Sequence, residues 1–89
     1  MHEHALMNDV MREILKTAAA ENARTVTGVS VWLGALSHLT PQHFAEHFAD
    51  AAAGSIAAGA TITATTSTDI HHPRATGVVI EGIEVEPAP

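Results

Sequence analysis

Seven histidines, at positions 2, 4, 38, 43, 47, 71 and 72, are the residues of this 89-residue chain with the most chemistry to offer. Imidazole is the commonest protein ligand for nickel, copper and zinc. The opening Met1-His2-Glu3-His4 holds the densest donor set. A histidine in second place puts the terminal amine of Met1, the His2 amide and the His2 imidazole within one short loop of backbone. The Glu3 amide can supply a fourth nitrogen. Planar nitrogen sets of this kind suit Ni(II) or Cu(II), whereas Zn(II) prefers tetrahedral sites.

The other histidines fall into looser patterns. His43-Phe44-Ala45-Glu46-His47 matches H-x-x-E-H, the inverted zinc-protease motif. Two histidines four apart on a helix can share a metal, and the glutamate could act as base. A catalytic zinc also needs a third protein ligand held in a cleft, and a chain this short has no room for both cleft and substrate channel. The pair reads as the solvated or half-buried edge of a helix, at most an adventitious metal pair. His71-His72 lies beside Asp69 in a turn-rich stretch, where adjacent imidazoles bind transition metals loosely. His38 reads as a structural or surface residue. No nucleophile–base arrangement emerges, and Gly34, Gly54 and Gly59 lack the spacing and the lysine of a phosphate loop. The chain is not expected to be an enzyme.

The elements that must position these donors can be read from periodicity. From about Ala5 to Asn22, Leu6, Met7, Val10, Met11, Ile14, Leu15 and Ala18 recur at helical spacing, with Asp9, Arg12, Glu13 and Lys16 on the other face. Glu13 and Lys16 are close enough to pair weakly. Met7 and Met11 read as core filler rather than soft ligands. Thr25 to Leu33 reads as a strand with Val29, Val31 and Leu33 on one face and Ser30 and Trp32 on the other. Thr40 as N-cap and Pro41 at the first helical position open a second helix, which buries Phe44 and Phe48, runs to about Ala53 and ends at Gly54. Ala60 to Thr66 alternates as a second strand. Ser67 to Ala75 is a loop, and Gly77 to Glu86 is a third strand with Gly82 at a bulge or bend. The expected fold is α+β in the order α-β-α-β-β, two helices packed on one face of a small three-stranded sheet.

Composition narrows the class. Ten acids against four bases give a net charge of −6, and with only three aromatics there is no footprint for nucleic acid. Cysteine is absent, so neither disulfides nor thiolate zinc sites can brace the fold. No stretch approaches the ~18 apolar residues of a membrane span, and no signal-peptide pattern is present, so a cytoplasmic location is expected. A chain of this size buries only about 60% of its unfolded surface, which fits one domain spanning 1–89.

Four stretches, taken together and in order, resemble the hydrogenase-maturation nickel metallochaperones, the HypA/HybF family. They are Met1-His2-Glu3 followed by Ala5-Leu6; Leu33-Gly34-Ala35-Leu36-Ser37 with Pro41 downstream; Gly54-Ser55-Ile56-Ala57-Ala58-Gly59-Ala60; and the ending Ile80-Glu81-Gly82-Ile83-Glu84-Val85-Glu86. The resemblance implies a nickel site at Met1, His2 and Glu3, with the amine, backbone amides and the His2 imidazole as donors. It implies delivery of Ni(II) to a nickel-enzyme precursor, above all the large subunit of a nickel–iron hydrogenase, alongside a maturation GTPase. Relatives carry a cysteine-bound zinc ribbon between the second and third strands. Here that place holds only the loop 67–75, so no structural zinc is expected. His71 and His72 at that point, and His4 beside the site, are candidate supplementary ligands. The alternative is an interaction or regulatory module that keeps the fold and no longer transfers metal. The client enzyme and the oligomeric state are not legible in the sequence.

Overall fold

The computed structural model describes the chain from His2 to Pro89, with side chains from Ala5 onward. Helix α1 (His2–Ala20), strand β1 (Ala23–Leu33), helix α2 (Pro41–Ala52), strand β2 (Thr61–Thr66) and strand β3 (Val78–Pro87) follow the expected order. The sheet is mixed. β1 is central, parallel to β2 and antiparallel to β3.

Helix α1 begins three residues before the expected Ala5, so His2, Glu3 and His4 form its first turn. Nothing in that tetrapeptide breaks a helix, and an acid in the first turn complements the helix dipole. The helix stops two residues before the expected Asn22 because Asn22 takes a left-handed φ of 53°, a conformation asparagine tolerates well. Met7, Val10, Met11, Ile14 and Ala18 are buried, so both methionines are core residues. The ion pair on the exposed face joins Arg12 to Asp9 at 2.9 Å rather than Glu13 to Lys16. Both partners of that pair are largely solvated, so it adds little to stability.

Strand β1 starts at Ala23, two residues before the expected Thr25, and sends Val26, Val29, Val31 and Leu33 into the core. Val26 and Val29 are three apart and would face opposite sides of a regular strand. The pairing resolves this: Val26 sits opposite Val85 and Gly28 opposite Glu84, leaving Thr27 as an extra residue in a bulge. The Thr27 hydroxyl donates to the Glu84 carbonyl at 3.3 Å. On β3, Ile80 pairs with Val31 and Gly82 with Ser30, so Glu81 is the extra residue of a second bulge beside Gly82.

A parallel pair needs a crossover connection, and α2 supplies it between β1 and β2. Thr40 is the N-cap, in extended conformation, with its hydroxyl accepting from the His43 amide at 3.1 Å. Phe44, Phe48 and Ala52 are buried, and the two phenylalanine rings stack 6.3 Å apart. Both helices contribute to one core against the inner face of β1. No helix among the described residues is long and apolar enough to cross a membrane.

Gly34 ends β1 where the connection 67–77 folds back onto it. The Gly34 amide donates to the Gly77 carbonyl at 2.9 Å and the Leu36 amide to the Ala75 carbonyl at 2.7 Å. A Cβ on Gly34 would lie 2.5 Å from the Ala75 carbonyl carbon and 2.7 Å from the Arg74 oxygen, so backbone would have to move. Gly34→Ala is expected to cost roughly 2–4 kcal/mol in urea unfolding. Gly82→Ala, where a Cβ meets open space, should change stability by less than about 1 kcal/mol. Equal midpoints for the two variants would refute the close packing at Gly34.

Candidate metal centre

The topology gathers the histidines at one end of the molecule. β1 and β2 run in parallel and end at Leu33 and Thr66, and β3 begins at Val78 opposite Leu33. Leu6, Asp9, Val10 and Glu13 of α1 line a groove of about 510 Å³ with Arg74 and residues 77–80, so α1 starts at this same end. The chain leaving α2 bonds back to the start of β1, the Val26 amide donating to the Ile56 carbonyl at 2.9 Å. Helix α2 therefore ends at the far pole and begins at the near one. The near pole holds the first turns of both helices and the connections 34–40 and 67–77. These carry six of the seven histidines, and His47 lies one turn farther along α2 than His43.

Met1, and the side chains of His2, Glu3 and His4, lie outside the described residues. The backbone of His2–His4 belongs to the first turn of α1. Amide N–H groups of a first helical turn have no intrahelical acceptor, so a metal can take the His2 and Glu3 amides without breaking a helical hydrogen bond. The positive end of the helix dipole opposes a bare cation there. Deprotonation of the amides by a metal bound there would supply the compensating negative charge.

His71 is exposed, and its backbone amide donates to Asp69 Oδ1 at 3.0 Å. His72 is half-buried against Trp32, ring centroids 4.6 Å apart and planes tilted by 46°. Its Nδ1 accepts from the Arg74 amide at 2.9 Å, which leaves Nε2 as its free donor atom. Trp32 alternates with the buried Val31 and Leu33, so the contact lies on the sheet face away from the helices. The sequence carries no sign of this contact beyond a single tryptophan at an outward strand position. His38 is exposed and left-handed, with φ 62°, in a turn where the Leu39 amide donates to Ser37 Oγ at 3.3 Å. His43 is exposed and His47 half-buried, their rings 5.3 Å apart. Among the described residues, no group of three or more His, Asp or Glu side chains is placed to hold one metal ion.

Residues 1–72 match the family model described as hydrogenase/urease nickel incorporation, metallochaperone, HypA. The chain is also similar to the hydrogenase maturation factor HypA of Archaeoglobus fulgidus, 37% identical over 60 residues that make up 67% of this chain and 54% of that protein. The chain thus spans about half the length of the curated relative it matches.

Trp32 is the only tryptophan, so its emission reports the His72 contact without interference. His72→Ala is expected to move that emission to the red as the indole gains water, and to cost about 0.5–1.5 kcal/mol of stability. An unchanged spectrum would mean that the two rings do not pack in solution.

Proposed function

The chain belongs to the HypA family, and we propose that it is a nickel carrier that binds one Ni(II) through Met1, His2 and Glu3 and passes it to a nickel-enzyme precursor. The donors are the Met1 amine, the His2 and Glu3 amides and the His2 imidazole, a planar nitrogen set that suits Ni(II) over Zn(II). The observation that supports this reading most is the match to a nickel-incorporation family that begins at residue 1 and takes in the whole donor set. The 1–89 chain acts in this reading as one nickel-binding domain. The recipient is a hydrogenase or urease precursor, with a nickel–iron hydrogenase large subunit favoured by the similarity to a hydrogenase maturation factor. A maturation GTPase acts beside it, and the work is done in the cytoplasm.

A site at a chain terminus suits transfer. A partner's ligands can displace terminal donors one at a time. His4, together with Nε2 of His72 and the imidazole of His71, are the supplementary donors in this proposal, brought in from the same pole. His71→Ala with His72→Ala tests that part alone: unchanged nickel affinity and absorption would remove both from the site.

The main test is Ni(II) titration of protein with a free Met1 amine, followed by calorimetry. His2→Ala is expected to weaken binding by about 100-fold, equivalent to about 2.7 kcal/mol, with the circular dichroism of the fold unchanged. A Gly-Ser extension ahead of Met1 should weaken it comparably by removing the amine. Binding indifferent to both changes would overturn the terminal site and favour the interaction-module reading. Because amide protons are released as the metal binds, affinity should fall by at least about tenfold for each unit of pH lowered below neutrality. A flat pH profile would argue against amide coordination.

A further inference from the structure

We infer that the outer edge of β2 is an interface between two copies of this chain, which join their sheets about a two-fold axis at Thr63. Strand β2 pairs with β1 along one edge only. Among the described residues, no strand or loop is hydrogen-bonded to its other edge. Outward N–H and C=O groups on such an edge are a ready template for another strand. The two edges of the sheet are built differently. β3 carries Glu81, Glu84 and Glu86, all exposed, and closes on Pro87. Charges and proline of this kind keep an edge from pairing. β2 has neither, for no charged residue and no proline lies between Asp50 and Asp69. In a chain of net charge −6, a second copy that approaches along β2 meets no like charge on that strand.

The side chains select the register. Thr63 and Thr65 pair with Ser30 and Trp32 and are exposed with Thr61 on the face away from the helices. Ile62 and Ala64 pair with the buried Val29 and Val31, yet stay only half-buried themselves. Residues directly opposite each other in an antiparallel pair share a face, so self-pairing must match residues of like parity. An axis at Thr63 does this. Thr63 then faces its own copy, Thr61 faces Thr65 of the second copy, and Ile62 faces Ala64. Threonine opposite threonine is a favourable cross-strand pair, and each Ile62 gains an apolar neighbour on the core side. The two-fold stands perpendicular to the sheet, so the joined sheet has its helices on one side, and the contact is isologous and closed. One strand pair is smaller than the roughly 1,600 Å² interface of a standard stable complex, so the dimer forms in a concentration-dependent equilibrium.

Sedimentation velocity of the metal-free protein, from about 5 to 500 µM, tests the interface. The expected result is a mean mass that rises from 9.3 kDa toward twice that value and no further. Thr63→Lys changes an exposed position and sets two cations face to face at the axis. It should raise the dissociation constant at least about tenfold, although it lowers the net charge of each copy. Glu81→Lys, on the opposite edge of the sheet, should leave the dimer in place. Hydrogen exchange on the unsubstituted protein reads the same contact without a substitution. Amides within Thr61–Thr66 should exchange at least about fivefold more slowly at the high concentration than at the low one, and those of β3 equally fast at both. A mass fixed at 9.3 kDa, growth past the dimer, a dimer that survives Thr63→Lys, or protection gained on β3 instead of β2 would overturn the interface. No metal is present in these measurements, so their outcome is independent of the terminal nickel site.

Discussion

Strand β1 is hydrogen-bonded along both edges, to β2 running with it and to β3 running against it, and this arrangement governs the rest of the molecule. The parallel partner requires a crossover, which makes α2 span the sheet from one pole to the other. The antiparallel partner requires the connection after β2 to turn at the pole where β1 ends. Gly34 permits that turn, because the carbonyl groups of Arg74 and Ala75 occupy the space a side chain would need. With α1 starting above the first residues of β3, every histidine-bearing segment converges on one end of a molecule 44 Å long.

The inner face of the sheet meets a second constraint, that of keeping apolar side chains in phase. Two bulges do this. Thr27 lets Val26 and Val29 share a face, and Glu81 lets Ile80 and Ile83 oppose Val31 and Val29. Against that surface the two helices supply Ile14, Phe44 and Phe48, all essentially without solvent contact. Each fully buried side chain of this size is worth roughly 1.5–3 kcal/mol of transfer free energy. The described histidines of the pole can therefore remain outside the core.

Much of this was legible in the sequence because the signals are local. The amphipathic period of α1, the alternation around Val29 to Leu33 and the Thr40-Pro41 helix start each depend on neighbouring residues, and each appears where expected. What escaped is set by distant partners. The Thr27 bulge exists only relative to β3, and the packing of His72 on Trp32 joins the connection between β2 and β3 to strand β1. The left-handed Asn22, which shortens α1, follows from how the chain must reverse into β1. The proposed terminal donor set needs no fold to be read, because the amine, two amides and the second side chain are held together by covalent geometry. Only the placement of the first turn of α1 at a pole shared with the other histidine-bearing segments needed the fold.

The account rests on nickel held first by the chain terminus, with the imidazoles around it as supplementary donors. Nickel X-ray absorption on the one-to-one complex tests this most directly. The account predicts a shell of nitrogen or oxygen donors that loses imidazole outer-shell scattering and its geometry in His2→Ala. A shell and imidazole scattering unchanged in His2→Ala would contradict it, and would assign the nickel to the surrounding histidines of the pole.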